Sequence, residues 1–236
     1  MLKVIDSAVP VACWSCAVAH NDATLFCPHC SKIQPPPGGD YFSVFGLVPQ
    51  LDLDLGMLEH QFHKLSRKLH PDRFARAQDN EKQWSLADTA LLNDAYRTLK
   101  DPIRRTEYLL KLHGAEIGEE HAGKDRKDQK DVSRVPADLL EEAFDLNMQL
   151  EEMRMAKKMG EDDPQLRKDL EAARQNFTGM LAAAQSDLEK IWIQWDAAED
   201  SSDNAAREAA KNKMVALLNR RSYLRNLVRD VNDALD

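Results

Sequence analysis

All four cysteines of this 236-residue chain fall between positions 13 and 30, as Cys13-x-x-Cys16, a gap of ten residues, then Cys27-x-x-Cys30. Two close pairs let two tight turns each offer two thiolates to one tetrahedral zinc ion. Pro28 suits a turn at the second pair, and the ten-residue gap leaves room for a small hairpin. Two disulfides or four free thiols are the alternatives. Residues 1–11 do not read as a secretion signal, so a reducing compartment is expected and disulfides are disfavoured. Four sulfurs complete a zinc shell, which makes His20 and His29 expected surface residues and leaves no open position for catalysis. Too few apolar residues lie between the pairs for a core, so the zinc ion is expected to supply the fold of this segment.

A second constellation is His70-Pro71-Asp72. Proline after a helix-period pattern marks a stop, because it disfavours helix for the residue before it. The three residues are therefore expected on an exposed loop between helices, where polar side chains can be offered to a partner. His beside Asp also admits an acid–base reading, but an exposed loop gives little tuning of either group. The chain shows no nucleophile elbow, Walker loop or acid–base pair in a pocket, and it is expected not to be an enzyme. The tripeptide alone is a weak signal, and its value comes from the elements around it.

Those elements read as helices. Over 57–69, Leu58, Phe62, Leu65 and Leu69 recur at helical spacing, and Lys64, Arg67 and Lys68 share another, basic face. A second helix over about 81–99 places Leu92, Ala95, Tyr96 and Leu99 inward. Asp101-Pro102 reads as an N-cap followed by proline at the first helical position, opening a third helix that runs to Leu112 and ends near Gly114. Pro35-Pro36-Pro37-Gly38-Gly39 closes the cysteine module, and the polar, charged stretch 115–135 reads as a linker. From Pro136 onward three long helices with apolar residues three and four apart suggest an antiparallel bundle, with turns at 161–164 and 199–204. The expected core residues of its last helix are Ala210, Met214, Leu217, Leu224, Val228, Val231 and Leu235.

Composition supports an all-α class. Glycine is sparse at 9 residues and β-branched runs are short, so a large sheet is not expected. The net charge of −8 disfavours a nucleic-acid binder that relies on phosphate neutralisation. Most of the acidity is C-terminal: residues 40–114 hold 11 Lys+Arg against 11 Asp+Glu, whereas 136–236 hold 14 against 21. No run of eighteen apolar residues exists to span a membrane. In the first bundle helix, Leu140, Phe144 and Met148 form a second apolar stripe beside the core stripe, and Tyr223 is likewise off the main stripe of the last helix. Such residues either widen the core or form an exposed partner site.

Together Asp40-Tyr41-Phe42-Ser43-Val44-Phe45-Gly46-Leu47, the basic helix, His70-Pro71-Asp72-Arg73-Phe74, Leu92-Asn93-Asp94-Ala95-Tyr96-Arg97-Thr98-Leu99 and Pro102-Ile103-Arg104-Arg105-Thr106-Glu107-Tyr108-Leu109-Leu110-Lys111-Leu112-His113-Gly114 resemble the J-domain of the HscB family. Cys13-Trp14-Ser15-Cys16 and Phe26-Cys27-Pro28-His29-Cys30 are similar to the zinc-binding extension of some members. The resemblance implies a four-cysteine zinc module over 1–37 (Cys13, Cys16, Cys27 and Cys30), a J-domain helical hairpin over 38–114, a charged linker over 115–135 and a three-helix bundle over 136–236. It implies a co-chaperone that stimulates the ATPase of a DnaK/HscA-type chaperone through His70, Pro71 and Asp72, assisted by Lys64, Arg67 and Lys68. The bundle is implied to hold an IscU-type iron–sulfur scaffold at Leu140, Phe144 and Tyr223. Phe144 stands where some relatives carry an aliphatic residue, and the linker is longer than in compact members. A zinc-ribbon nucleic-acid-binding regulator and a J-domain protein serving other clients are the alternatives. The role of the zinc module stays open between stabilising the chain, forming a homodimer and tethering a partner. The expected location is the cytoplasm, with the mitochondrial matrix as the alternative for a mature form.

Overall fold

Aspartate, proline and glycine mark most element boundaries in the computed structural model, which describes residues 10–21, 24–115 and 136–236. Apart from its first residue, the linker expected over 115–135 lies outside them. The chain divides into two compact units, Met1–His113 and Gly114–Asp236, and each is described by itself.

The first unit opens with two short antiparallel strands, β1 (Pro10–Ala12) and β2 (Ala19–Asn21), with Val11 opposite His20. The expected hairpin therefore encloses the first cysteine pair instead of lying in the gap between the pairs. A bridge between Phe26 and Ile33 encloses the second pair in the same way. Leu25 and Ile33 are buried beside Cys13 and Cys27, a core too small to stand without other support.

Helices follow: α1 (Tyr41–Val44), α2 (Leu55–Leu69), α3 (Asp79–Lys100) and α4 (Pro102–Leu112). Asp54 caps α2 by accepting from the Met57 N–H. Asp101 caps α4 by accepting from Ile103 and Arg104, with Pro102 at the first position as its spacing predicts. The core gathers Phe42, Leu51, Leu58, Leu69, Leu92, Leu99, Leu109 and Leu110. Phe62 stacks on Tyr96 with centroids 4.1 Å apart, joining α2 to α3. Tyr41 stacks on Tyr108, whose hydroxyl accepts from the Tyr41 N–H at 2.9 Å, fastening α4 to the start of α1.

The second unit holds α5 (Leu140–Met159), α6 (Pro164–Ser201) and α7 (Asn204–Leu235). Gly160, at φ 71°, closes α5 in the left-handed conformation that glycine adopts freely. Asp163 and Asp203 cap α6 and α7. Leu139, Leu146, Leu150, Met153, Leu170, Phe177, Leu224 and Val231 form the bundle core.

Two expectations needed correction here. The turn predicted over 199–204 shrinks to Ser202 and Asp203, because Ala198 stays in the core and Glu199 pairs with Arg207 across the turn at 3.1 Å. In α7 Ala210, Met214, Leu224 and Val231 are buried as expected, but Leu218 and Leu227 are buried where Leu217 and Val228 were expected, and those two are half-buried. A stripe read as a seven-residue repeat drifts from an ordinary 3.6-residue helix over so many turns.

Candidate functional site

The two cysteine pairs fold into matching turns. Ala17 N–H donates to Cys13 O, and Ser31 N–H to Cys27 O, each at 2.9 Å. Cys13 N–H donates to Val18 O and Cys27 N–H to Lys32 O. Ala17 and Ser31, each following the second cysteine of its pair, share a left-handed φ of 59° and 60°. The repeated turn aims all four sulfurs at one point. Their Sγ atoms lie within 4.8 Å of one another, with Cys13–Cys30 at 3.6 Å and Cys16–Cys27 at 3.8 Å. Tetrahedral zinc with bonds of about 2.3 Å sets its sulfurs roughly 3.8 Å apart. All four cysteines are free, so neither disulfide forms.

The electrostatics also suit a dication. Burial pushes the Cys13 thiol up, but hydrogen bonds from the Cys16 and Ser15 backbone and from neighbouring thiols outweigh it and bring the group down to about 6. The Val18 backbone draws Cys16 down, yet burial and the three surrounding sulfurs push it up to about 12. Sulfurs this close resist ionising together unless a cation joins them. Cys13, Cys16, Cys27 and Cys30 would hold that ion, and all four positions of a structural site are filled.

The histidine nearest the cluster departs from expectation. His20 is buried, not on the surface: Nε2 meets Gln34 Oε1 at 3.1 Å and Nδ1 meets Thr24 Oγ1 at 3.0 Å. Gln34 Nε2 in turn points at Cys13 Sγ from 3.5 Å. His29 is exposed as expected. Gln34 escapes sequence reading because an isolated glutamine four residues after Cys30 carries no ligand signature.

His70 ends α2 and opens a single 3-10 turn, Pro71–Phe74, so the expected loop is a short ordered helix turn. Arg73 N–H donates to His70 O at 2.9 Å. Asp72 N–H donates to His70 Nδ1 at 3.3 Å. The Asp72 carboxylate lies 3.5 Å from Nδ1. His70, Pro71 and Asp72 are all exposed. Lys64, Arg67 and Lys68 are exposed on α2 just before the turn. Arg67 Nε donates to the His63 carbonyl, and Lys68 Nζ sits 5.6 Å from the Phe26 ring centroid.

In the second unit Leu140 is 49% exposed, Phe144 65% and Met148 51%. Met155 and Met159 are also exposed and extend the same face of α5. Tyr223 is half-buried against the bundle core, and burial raises its phenol, with Asp230 adding to the effect. Arg220, one turn before Tyr223, pairs with Asp138 at 2.9 Å, two residues before Leu140. Tyr223 is thereby placed at the same end of the bundle as the start of α5.

A His-Pro-Asp turn carried between packed helices is the mark of a J-domain, so the chain is a J-domain protein with a metal-capable module before that domain and a helical bundle after it. It belongs to the HscB co-chaperone family. The mouse protein described as iron–sulfur cluster co-chaperone protein HscB is 35% identical over 184 residues, covering 75% of this chain and 73% of the mouse protein. The human protein of the same description is 40% identical over 111 residues, 45% of this chain and 47% of that relative. A Vibrio cholerae co-chaperone protein HscB homolog is 47% identical over 81 residues, 34% of this chain and 47% of the relative. The crystal structure of human co-chaperone protein HscB superposes with a TM-score of 0.59 at 26% identity, over 94% of this chain and 97% of that one. No protein-family model matches the chain.

Proposed function

We propose that this protein is a co-chaperone of iron–sulfur cluster biogenesis that stimulates the ATPase of a DnaK/HscA-type chaperone and brings it an IscU-type scaffold. The observation that carries the reading is the ordered, exposed turn at His70, Pro71 and Asp72 beside three exposed cations. Lys64, Arg67 and Lys68 steer an acidic partner surface toward the turn, and such rim charges act mainly on association rate and orientation. Asp72 then offers a carboxylate for a charge-assisted bond with a cationic side chain of the chaperone. The ATP chemistry belongs to the partner.

Leu140, Phe144 and Tyr223 form the scaffold-binding patch in this reading. Phe144 is its anchor, since a large ring exposed on a helix face gains most from being covered. The ion held by the four cysteines is zinc in a structural role. Steady-state ATPase assays with a DnaK-type chaperone test the mechanism. His70→Gln should abolish stimulation while the circular dichroism spectrum stays that of the wild type, and unchanged stimulation would refute recruitment through the turn.

A further inference from the structure

The cysteine module is bonded to the two helix ends that carry the His-Pro-Asp turn. Phe26 lies beneath Lys68, in the last turn of α2. Trp14 meets Trp84 of α3 edge-on, with centroids 5.5 Å apart. Lys32 Nζ is 3.0 Å from Glu81 Oε1 and 5.9 Å from the Trp14 ring centroid. Glu81 is only 4% exposed, and its Oε2 accepts from the Gln78 N–H at 3.2 Å, closing the first turn of α3. One carboxylate therefore both starts the helix after the turn and fastens the module to it.

The module's contact residues are also tied to the metal ligands. Trp14 sits between Cys13 and Cys16, Phe26 precedes Cys27, and Lys32 is two residues past Cys30. Each is within two residues of a sulfur, on a turn whose shape the ion would fix. Without that turn Lys32 leaves Glu81, and a buried carboxylate stripped of its cation is costly. One turn further along the same buried face of α3, Ser85 holds the end of α2 through its bond to Leu69 O.

We infer that the four-cysteine module is an intramolecular clamp on the His-Pro-Asp turn, with Trp14, Phe26 and Lys32 as positioning residues that act through Trp84, Lys68 and Glu81. Metal occupancy then sets how well the partner-facing turn is ordered. The link to ATPase stimulation rests on the proposed function, whereas the ordering itself does not.

Amide hydrogen exchange on the full chain separates the two. Chelator-stripped protein and a zinc-loaded Lys32→Ala variant should both exchange the amides of residues 72–85 about tenfold faster than zinc-loaded wild type, while α6 and α7 are unchanged. Lys32→Arg should restore wild-type exchange. Because Lys32→Ala keeps all four ligands, it tests the clamp even if the stripped protein unfolds. Acceleration confined to residues 10–34, with 72–85 unmoved in both samples, overturns the clamp. In the ATPase assay Lys32→Ala should raise the co-chaperone concentration for half-maximal stimulation several-fold and leave the maximum intact. If wild type gives no stimulation at all, the proposed function fails and the exchange data still decide the clamp.

Discussion

The Ser85 hydroxyl donates to the backbone carbonyl of Leu69 at 2.6 Å, so the second turn of α3 holds the last residue before His70. That carbonyl ends α2, and Pro71 just beyond it has no N–H to donate. Both residues are fully buried, which makes the bond the means of satisfying a helix end that water does not reach. Thr89 offers only a long contact of 3.5 Å to the same oxygen, its hydroxyl being bonded to Ser85 O at 2.7 Å.

Ser85→Ala should therefore cost about 1–3 kcal/mol, the penalty of a buried acceptor left without its donor. Urea unfolding gives the value from the midpoint at unchanged slope. The turn loses an anchor as well, so ATPase stimulation should fall with it. A midpoint equal to wild type would show that Thr89 takes over the bond.

Gln34→Ala removes the side chain that points at Cys13 Sγ and takes away the Gln34 contact of His20 Nε2. Groups that orient metal ligands typically contribute 10- to 100-fold in affinity. Competition with a chromogenic chelator should show zinc bound about that much more weakly, with one ion per chain still bound at saturation. Affinity within twofold of wild type would make Gln34 a spectator.

Asp88 supplies a pH dependence. It is fully buried in α3, neither carboxylate oxygen has a hydrogen-bond partner among the described residues, and burial pushes the group up to about 7. Its folded value lies above the unfolded value near 3.9, so the folded state holds the proton more tightly. Stability linked to this group is intact at low pH, falls as pH rises from about 4, and is fully lost above about 7. Asp88→Asn should match wild type near pH 4 and melt higher at pH 8, by roughly 5 °C. Equal melting temperatures at pH 8 would mean that water reaches the carboxylate.

These predictions also show which parts of the molecule could be read from residues alone. The cysteine spacing, the proline after Leu69 and the Asp101-Pro102 cap are local signals, and each lies where its local chemistry puts it. In α3 the apolar period stops at Leu92, yet the same buried face continues backward through Asp88, Ser85 and Glu81. Polar residues on a buried stripe are invisible to a pattern built on apolar ones, and here they carry the contacts to Leu69 and Lys32. His20 and Gln34 were hidden for a related reason: their partners come from other turns, and only the folded module brings them together.

The exposed face of α5 gives the last test. Leu140, Phe144 and Met148 bury little in the bundle, so truncating them should leave its melting unchanged within about 0.5 kcal/mol. Tyr223 is a poorer probe, since its ring packs on the core and Tyr223→Ala would mix lost binding with lost stability. The combined Leu140→Ala, Phe144→Ala, Met148→Ala variant should bind an IscU-type scaffold at least about 100-fold more weakly in calorimetry, as loss of an aromatic anchor and its apolar rim predicts. Its stimulation of the chaperone alone should equal wild type, because His70, Pro71 and Asp72 belong to the other unit. Native scaffold affinity in the triple variant would move the docking site off α5. Binding lost together with stimulation would instead mean that the two units do not act as separate sites.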